Sequence, residues 1–180
     1  MKLVTALFFA LSIVAEAKAQ DLYQPVRVDN TTLWVNSIVG KNGVSTVECW
    51  GIQPPFVVSS QARTVGNKIL QLGQLSNASY SVFPDGHPTD AGLHNAPNAQ
   101  WVVLLSGSGN INFPDSPSTP NLTVKAPELL IAVDTPGTSR IGHRSVWEAG
   151  TSVIQMPLAP GFVPGHKTIN GACPPVAPNH

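Results

Sequence analysis

The sequence predicts an all-β domain, built as an antiparallel sandwich or barrel with little helix. Seventeen prolines and fifteen glycines interrupt the chain so often that long helices have little room. Between these breakers, short segments alternate apolar and polar residues or carry β-branched runs, which is the pattern of strands. Turn residues separate the segments at short intervals, as they do in antiparallel sheets.

The strand candidates follow one another along the chain. The first two, 32–39 and 44–50, flank a turn that contains Asn42-Gly43, a dipeptide favoured in tight hairpins. Residues 114–120 form a polar, proline-rich loop, and we expect the tail 160–180 to be irregular. The remaining candidates are 55–59, 68–72, 80–83, 101–105, 110–113, 122–125, 128–133, 144–148 and 151–157.

Two stretches, 101–105 and 129–133, are continuous apolar runs rather than alternating ones. Such runs suit strands that are covered on both faces. Each is stopped within about six residues, by Ser-Gly or by Asp-Thr-Pro-Gly, which is too short for a buried helix. A small barrel wrapped by flanking segments would provide this environment.

The N-terminal segment 1–19 has the three parts of a secretory signal peptide. Lys2 precedes an almost unbroken apolar stretch over 3–15, and small residues follow at the −3 and −1 positions of a cleavage site before Gln20. A transmembrane anchor would need about 20 apolar residues, and charged residues interrupt this stretch earlier. We therefore expect a protein that is secreted or lies in the secretory-pathway lumen, with one domain over 20–180.

The charge of the mature chain limits its partners. After cleavage, eight Lys and Arg residues would stand against nine Asp and Glu residues, a net charge near −1. So small a charge, with no basic cluster, argues against nucleic acid and against anionic membranes as partners. A homo-oligomer remains open.

Three sequons lack proline in their middle position and can accept N-linked glycans in a secreted protein. Their asparagines are Asn30, Asn77 and Asn121. Charged residues make up only 11% of the chain, so glycans would help to keep it soluble. We expect these three segments to lie at the surface.

Cys49 and Cys173 are the only cysteines of the sequence. In an oxidising compartment, two cysteines are most simply one disulfide. Closing so long a loop would add about 4–5 kcal/mol of stability by chain entropy. The alternative, two free thiols that act in catalysis, lacks an activating neighbour.

Two segments carry the residues with the most chemistry. The first reads His94-x-Ala-Pro-x-x-Gln100 and leads into a hydrophobic strand and a Leu-Ser-Gly turn. The second reads Asp134-Thr-Pro-Gly and ends in Gly-His143. In this order the two segments resemble the cupin superfamily, especially its small single-domain members. The resemblance covers about 85–157 and implies a single cupin barrel of the jelly-roll type.

Metal-binding cupins carry His-x-His, a Glu four residues later and a third His, which together hold Fe, Mn, Ni, Zn or Cu. Imidazole and carboxylate groups suit such divalent ions. Carried over to this chain, His94 matches the first ligand and His143 the last, whereas Ala96 and Gln100 replace the second His and the Glu. The resemblance therefore implies a metal held by His94, His143 and Gln100, or no metal at all, because two of the four strong ligands are missing.

Strand parity supports the grouping of these residues. His94 and Gln100 share even numbering, so a regular strand would send both to the barrel interior, and His143 could oppose them from a later strand. His87 or Asp90 could replace a missing ligand. Without a metal, Gln100 could instead bond to His143 across the barrel.

Other conspicuous residues have ordinary structural interpretations. Asp134 is expected to shape the turn before Thr-Pro-Gly through its side chain. His166 and His180, in the tail, are expected to be solvated. Trp101 and Trp147 are expected in the core or in a cavity wall.

The resemblance implies an enzyme that acts on a small, fairly apolar molecule inside the barrel. The expected activity is that of an oxidoreductase, or of a cyclase or isomerase, in a secondary-metabolite pathway. His94 or His143 would act as general acid or base beside Gln100, whereas redox chemistry would require the metal or another cofactor. The alternative is a non-catalytic extracellular binding or structural cupin with a degenerate metal site.

Overall fold

The computed structural model describes residues 27–28 and 31–174. Every regular element in this part of the chain is a strand, so the all-β prediction is confirmed. No helix in these two ranges is long and apolar enough to cross a membrane. The signal-peptide segment, Asn30 and His180 lie outside the described residues.

Most of the described strands lie close to the positions that the sequence predicts. Their bounds are β1 (Arg27–Val28), β2 (Leu33–Lys41), β3 (Val44–Gln53), β4 (Val57–Val58), β5 (Lys68–Ile69), β6 (Ser79–Val82), β7 (Thr89–His94), β8 (Gln100–Ser106), β9 (Ser108–Asn112), β10 (Leu122–Lys125), β11 (Glu128–Ala132), β12 (His143–Trp147), β13 (Ser152–Pro157) and β14 (Gly165–Asn170).

The strands form two main sheets that face each other as a jelly-roll-like sandwich. The large sheet has the order β14-β3-β2-β11-β8-β13-β6, with β1 added beside β2, and the small sheet has the order β10-β9-β12-β7. Strands β4 and β5 make a separate two-stranded ribbon. All neighbours are antiparallel except β2 and β11. Backbone pairing does not join the two main sheets into one closed barrel.

Two hydrophobic cores cover the two faces of the large sheet. The inner core lies between the sheets, and the outer core lies on the opposite face, under the segments that carry Leu70 and Phe162. Along β11, Leu130 and Ala132 belong to the inner core and Ile131 to the outer core. The apolar runs are therefore strands buried on both faces, as the sequence predicts.

The first hairpin has the geometry that its sequence predicts. Asn42 and Gly43, between β2 and β3, have φ values of 54° and 78°. Positive φ at both central residues defines the tight turn whose twist matches the flanking strands.

Besides the two-residue strand β1, the sequence missed strands β7 and β14, and the expectation of an irregular tail is wrong. Strand β14 pairs with β3 along its whole length, and β7 pairs with β12. Both missed strands contain residues with low strand propensity, such as the Asp and Gly of Thr-Asp-Ala-Gly-Leu-His. Pairing with a neighbouring strand, rather than local pattern, holds them in place.

The predicted disulfide between Cys49 and Cys173 is present, and no free cysteine remains in the described residues. It joins β3 to the segment that follows β14. The backbone N–H of Cys173 also donates to Oδ1 of Asn36 at 2.8 Å, and Nδ2 of Asn36 donates to Oε1 of Glu128 at 3.1 Å. The end of the described chain is thus bound to the middle of the large sheet.

Candidate functional site

A cavity of about 310 Å³ lies between the two sheets. Its wall is mainly apolar, and its polar members are His94, Gln100, His143, Ser145 and Gln155. Among the described residues no Lys, Arg, Asp or Glu side chain lines it. A mainly apolar hollow with a few convergent polar groups is typical of small-molecule sites, and its volume lies at their lower end. The structure thus brings all three predicted site residues together.

Small side chains on one side and aromatic rings on another leave this space open. Ala91, Ala96 and Ala132 line the cavity, and Ala96 is only 1% exposed. Trp147 lines it too, with Phe83 stacked beside it at a ring-centroid distance of 5.2 Å. A larger side chain at either buried alanine would fill part of the cavity.

The two histidines are direct neighbours on the small sheet. His94 ends β7 and His143 begins β12, where they are register partners. Their ring centroids are 4.5 Å apart. Gln100 begins β8 in the large sheet and reaches the cavity from there, since residues 95–99 lie between β7 and β8. The strand-parity prediction was therefore wrong in its reason, although its residues do share one cavity.

His143 is held from behind by a buried carboxylate. Its Nδ1 lies 2.7 Å from Oδ2 of Asp134, which is fully buried. The Ser45 hydroxyl donates to the same oxygen at 2.6 Å, and Oγ of Ser139 lies 2.9 Å from Oγ of Ser45. Since the carboxylate accepts, Nδ1 carries the hydrogen, and Nε2 is the ring nitrogen left for the cavity.

The loop that carries Asp134 is tied to the segment that follows His94. Nδ2 of Asn95 donates to the backbone oxygens of Asp134 and Ser139, at 2.9 and 3.2 Å. Gly142 has a φ of +78°, and a Cβ there would stand 2.0 Å from the backbone oxygen of His94. Only glycine lets the chain pass this close to β7, and this close passage sets His143 beside His94.

His94 is oriented by a backbone carbonyl. Its Nδ1 lies 3.0 Å from the oxygen of Gly92. A carbonyl can only accept a hydrogen bond, so Nδ1 donates and Nε2 is again the unengaged nitrogen. The N–H of Gly92 donates in turn to Oδ1 of Asp90 at 2.9 Å.

Neither of the proposed substitute ligands, Asp90 and His87, reaches the cavity. Asp90 is exposed and paired with Arg144, whose hydrogen bond holds the pKa of Asp90 down to about 2. The same pairing raises the pKa of Arg144. His87 is exposed as well, and neither residue lines the cavity. That prediction was wrong, because β7 turns Asp90 towards Arg144 on its neighbour β12.

The two glutamines of the cavity have amides without protein partners. Gln100 is 6% exposed and Gln155 is half-buried, and neither side chain makes a hydrogen bond with any described residue. The expected bond from Gln100 to His143 is therefore not formed. Ser145 differs, because its Oγ accepts the indole N–H of Trp147 at 3.2 Å.

A resident transition metal does not fit this set of donors. In the described part of the chain, no three His, Cys, Asp or Glu side chains are grouped so that they could hold an ion. The cavity offers two imidazole nitrogens and otherwise only neutral amide and hydroxyl groups. The nearest carboxylate, Asp134, is engaged behind His143. Sites for these ions normally add a carboxylate, a thiolate or a third imidazole.

Sequence reasoning missed several partners. Asp134 was expected to shape a turn, yet it binds His143, and a lone Asp directly after an apolar strand was the available signal. Gln155 was likewise readable as the one polar residue between Val153 and Pro157 that alternates onto the inner face. His166 is not simply solvated: it stacks on Trp50 at a centroid distance of 3.5 Å.

No protein-family model matches this chain, and neither a curated protein nor a solved structure matches it. The resemblance to cupins thus depends on the two sequence segments, and it stays a prediction.

Proposed function

We propose that the protein is a secreted, cupin-like enzyme that moves protons within a small, largely apolar substrate, as a cyclase or an isomerase does. The observation that supports this most is the Asp134–His143 pair, whose outer nitrogen faces an apolar cavity. A carboxylate behind an imidazole fixes its tautomer and offsets the positive charge that develops when Nε2 takes up a proton. The pairing is that of a general base held in position.

In the proposed reaction, Nε2 of His143 takes a proton from a carbon next to a substrate carbonyl. The C–H electron pair moves into the new carbon–carbon double bond, and the carbonyl oxygen becomes an enolate. In an isomerisation the imidazolium then returns the proton to a different atom of the substrate. In a ring closure the enolate carbon first attacks a second carbonyl carbon of the same molecule, the electrons of that C=O bond move to its oxygen, and the oxygen takes the proton. Both routes restore neutral His143. No cofactor is consumed, so the step balances in atoms and electrons.

Gln100 is the candidate for stabilising the enolate oxygen. Its amide N–H groups are not used by any described residue, and they line the same cavity. A donor already held in a dry cavity stabilises developing negative charge with little reorganisation. His94, also with Nε2 free, is placed to hold a second polar group of the substrate or to share the proton.

Secretion is part of the proposal. The intramolecular disulfide is compatible with an oxidising compartment. Asn77 and Asn121 are exposed and precede β6 and β10, which supports glycan attachment there. The test for these glycans is enzymatic deglycosylation of the protein produced in a eukaryotic host. We expect the protein to lose mass.

Two alternative functions, an oxidoreductase and a non-catalytic binding protein, are less well supported. An oxidoreductase would need a redox-active group, and the donor set does not fit a resident transition metal. A non-catalytic binding cupin is favoured by Ala96, which stands where the resemblance places a histidine. The cavity itself is compatible with binding alone, and the following experiment separates the two roles.

The test is hydrogen–deuterium exchange at carbon, followed by NMR in D₂O with small cyclic ketones and 1,3-diketones. We expect the protein to accelerate exchange of the protons next to the carbonyl. Replacing His143→Phe should reduce that acceleration by about 10²–10⁴-fold, the usual contribution of a general base. The matched control is His166→Phe, which changes a histidine outside the cavity and should leave the rate unchanged.

Two results of the exchange experiment would contradict the proposed catalysis. If no compound of the panel exchanges faster than in buffer, or if His143→Phe retains the full rate, acid–base catalysis by this histidine is wrong. Tight binding without exchange would then favour the non-catalytic role.

A further inference from the structure

We propose that the cavity recognises an uncharged, ring-sized molecule through a hydroxyl group whose single hydrogen is accepted by Nε2 of either His94 or His143. This inference names the ligand class for the proposed site and rests on the proposal that the cavity binds a small molecule. It follows from the hydrogen-bond character of the groups that face the cavity.

Both histidines present acceptors. His143 is backed by the Asp134 carboxylate and His94 by the Gly92 carbonyl, at 2.7 and 3.0 Å. Both backing groups accept hydrogen bonds, so the hydrogens sit on the two Nδ1 atoms and the lone pairs on the two Nε2 atoms. A ligand carbonyl or ether oxygen cannot satisfy these acceptors, whereas a hydroxyl hydrogen can.

The ring centroids are 4.5 Å apart, so a hydroxyl group between them can donate its hydrogen to either ring in turn. Gln100 and Gln155 lie on the other wall, with amides that bind no described residue. An amide both donates and accepts, so these residues suit a carbonyl or a second hydroxyl at the far end of the ligand. A ligand that excludes water from the cavity but lacks the hydroxyl leaves these acceptors without a donor, and this cost discriminates against it.

The walls determine the remaining features of the ligand. No charged side chain of the described residues lines the cavity, so an ionic ligand would lose its hydration without a counter-charge. The volume of about 310 Å³ corresponds to roughly ten water molecules at about 30 Å³ each, which suits one substituted ring. Trp147, with Phe83 stacked beside it, provides aromatic surface against which the ring can pack.

The experiment compares two probes of equal shape, 4-hydroxyacetophenone and 4-methylacetophenone, by calorimetry on the whole mature protein. The methyl group replaces only the hydroxyl, and both probes keep the carbonyl at the other end. We expect the hydroxyl probe to bind at least about ten-fold more tightly. His94→Phe and His143→Phe should each reduce this preference, while binding of the methyl probe persists; His166→Phe should leave the preference unchanged.

A second measurement does not depend on any ligand or variant. Long-range ¹⁵N–¹H NMR spectra of the unliganded protein should show both imidazoles protonated on Nδ1 when neutral. A ring protonated on Nε2 would present a donor to the cavity and would overturn the inference. Equal affinity for the two probes, or no saturable binding of the hydroxyl probe, would overturn it as well.

These outcomes separate the ligand class from the proposed catalysis. A His-dependent preference for the hydroxyl probe without any carbon-bound exchange would support the ligand class and contradict the enzyme. Exchange of carbon-bound protons without a preference for the hydroxyl probe would support the enzyme and contradict the ligand class.

Discussion

The two faces of the large sheet are packed differently: the outer face is filled, whereas the inner face leaves a cavity. On the outer face, Trp50 and Trp101 fill the space under the covering segments, and Trp101 is fully buried. On the inner face, Ala132 of β11 is buried, as is Ala96 in the segment before β8, and a cavity remains beside them. Along β11, the side chain of Ile131 thus packs in the filled outer core, whereas that of the next residue, Ala132, borders the cavity.

The difference in packing between the two faces shows where the fold carries unfavourable contributions to its stability. An unfilled volume loses dispersion contacts, and a buried polar atom without a partner loses its hydration. The inner face borders the cavity, and Oδ1 of Asp134, behind His143, is the buried side-chain atom of the described residues that has no hydrogen-bond partner. Such a concentration of costs in one place is typical of sites kept for a ligand.

The largest expected effect is on the outer face. Trp101→Ala should lower the free energy of unfolding by about 3–5 kcal/mol, because it empties a filled position. It also removes the hydrogen bond from Nε1 to the backbone oxygen of Leu72, 2.8 Å long. Urea unfolding followed by circular dichroism measures the loss. Leu105→Ala, at a residue of the same strand that is 46% exposed, is the control and should change stability by less than about 0.5 kcal/mol.

The next prediction concerns the adjacent residue on the inner face. Gln100→Leu replaces a buried, unpartnered amide by an apolar group of similar size, so stability should stay the same or rise by about 1 kcal/mol. Binding of the hydroxyl probe should weaken in the same variant. If Gln100→Leu destabilises the fold as strongly as Trp101→Ala, the contrast between the two faces does not hold.

The smallest effect is expected outside both cores, at the exposed pair of Asp90 and Arg144. The hydrogen bond from Arg144 lowers the pKa of Asp90 from 3.8 to about 2. Because the folded-state pKa is depressed, the pair stabilises the protein fully above about pH 4, and that contribution disappears as the pH falls towards 2. Asp90→Asn and Arg144→Gln should each remove this pH dependence. Urea midpoints between these two pH values provide the measurement; an unchanged slope in both variants would contradict the pairing.

Much of the fold could be predicted because local sequence and pairing agree in most strands. The apolar runs 101–105 and 129–133 predicted strands buried on both faces, and Asn42-Gly43 predicted the turn between β2 and β3. Strand β14 could not be predicted in this way. Its residues, Gly-His-Lys-Thr-Ile-Asn, have no distinct pattern, and its conformation depends on β3, more than a hundred residues away in sequence.

The cupin resemblance named candidate residues but not their arrangement. His94, His143 and Gln100 came from that resemblance, and they line one cavity. The partner of His143 was not identified: the position of Asp134 directly after an apolar strand was a signal, but its hydrogen bonds to His143 and to Ser45 form only once other strands are in place. Hydrogen bonds between residues that are distant in sequence decide which nitrogen of a histidine is free, and only the three-dimensional structure reveals them.

The disulfide has a consequence for how the protein is made. Cys49 and Cys173 are 124 residues apart, and every strand from β4 to β14 is synthesised between them. During synthesis, β3 must therefore wait with an unpaired edge and a free thiol until β14 has emerged. The covalent bond can form only after β14 has been synthesised, so it closes the edge of the large sheet after all the described strands are present.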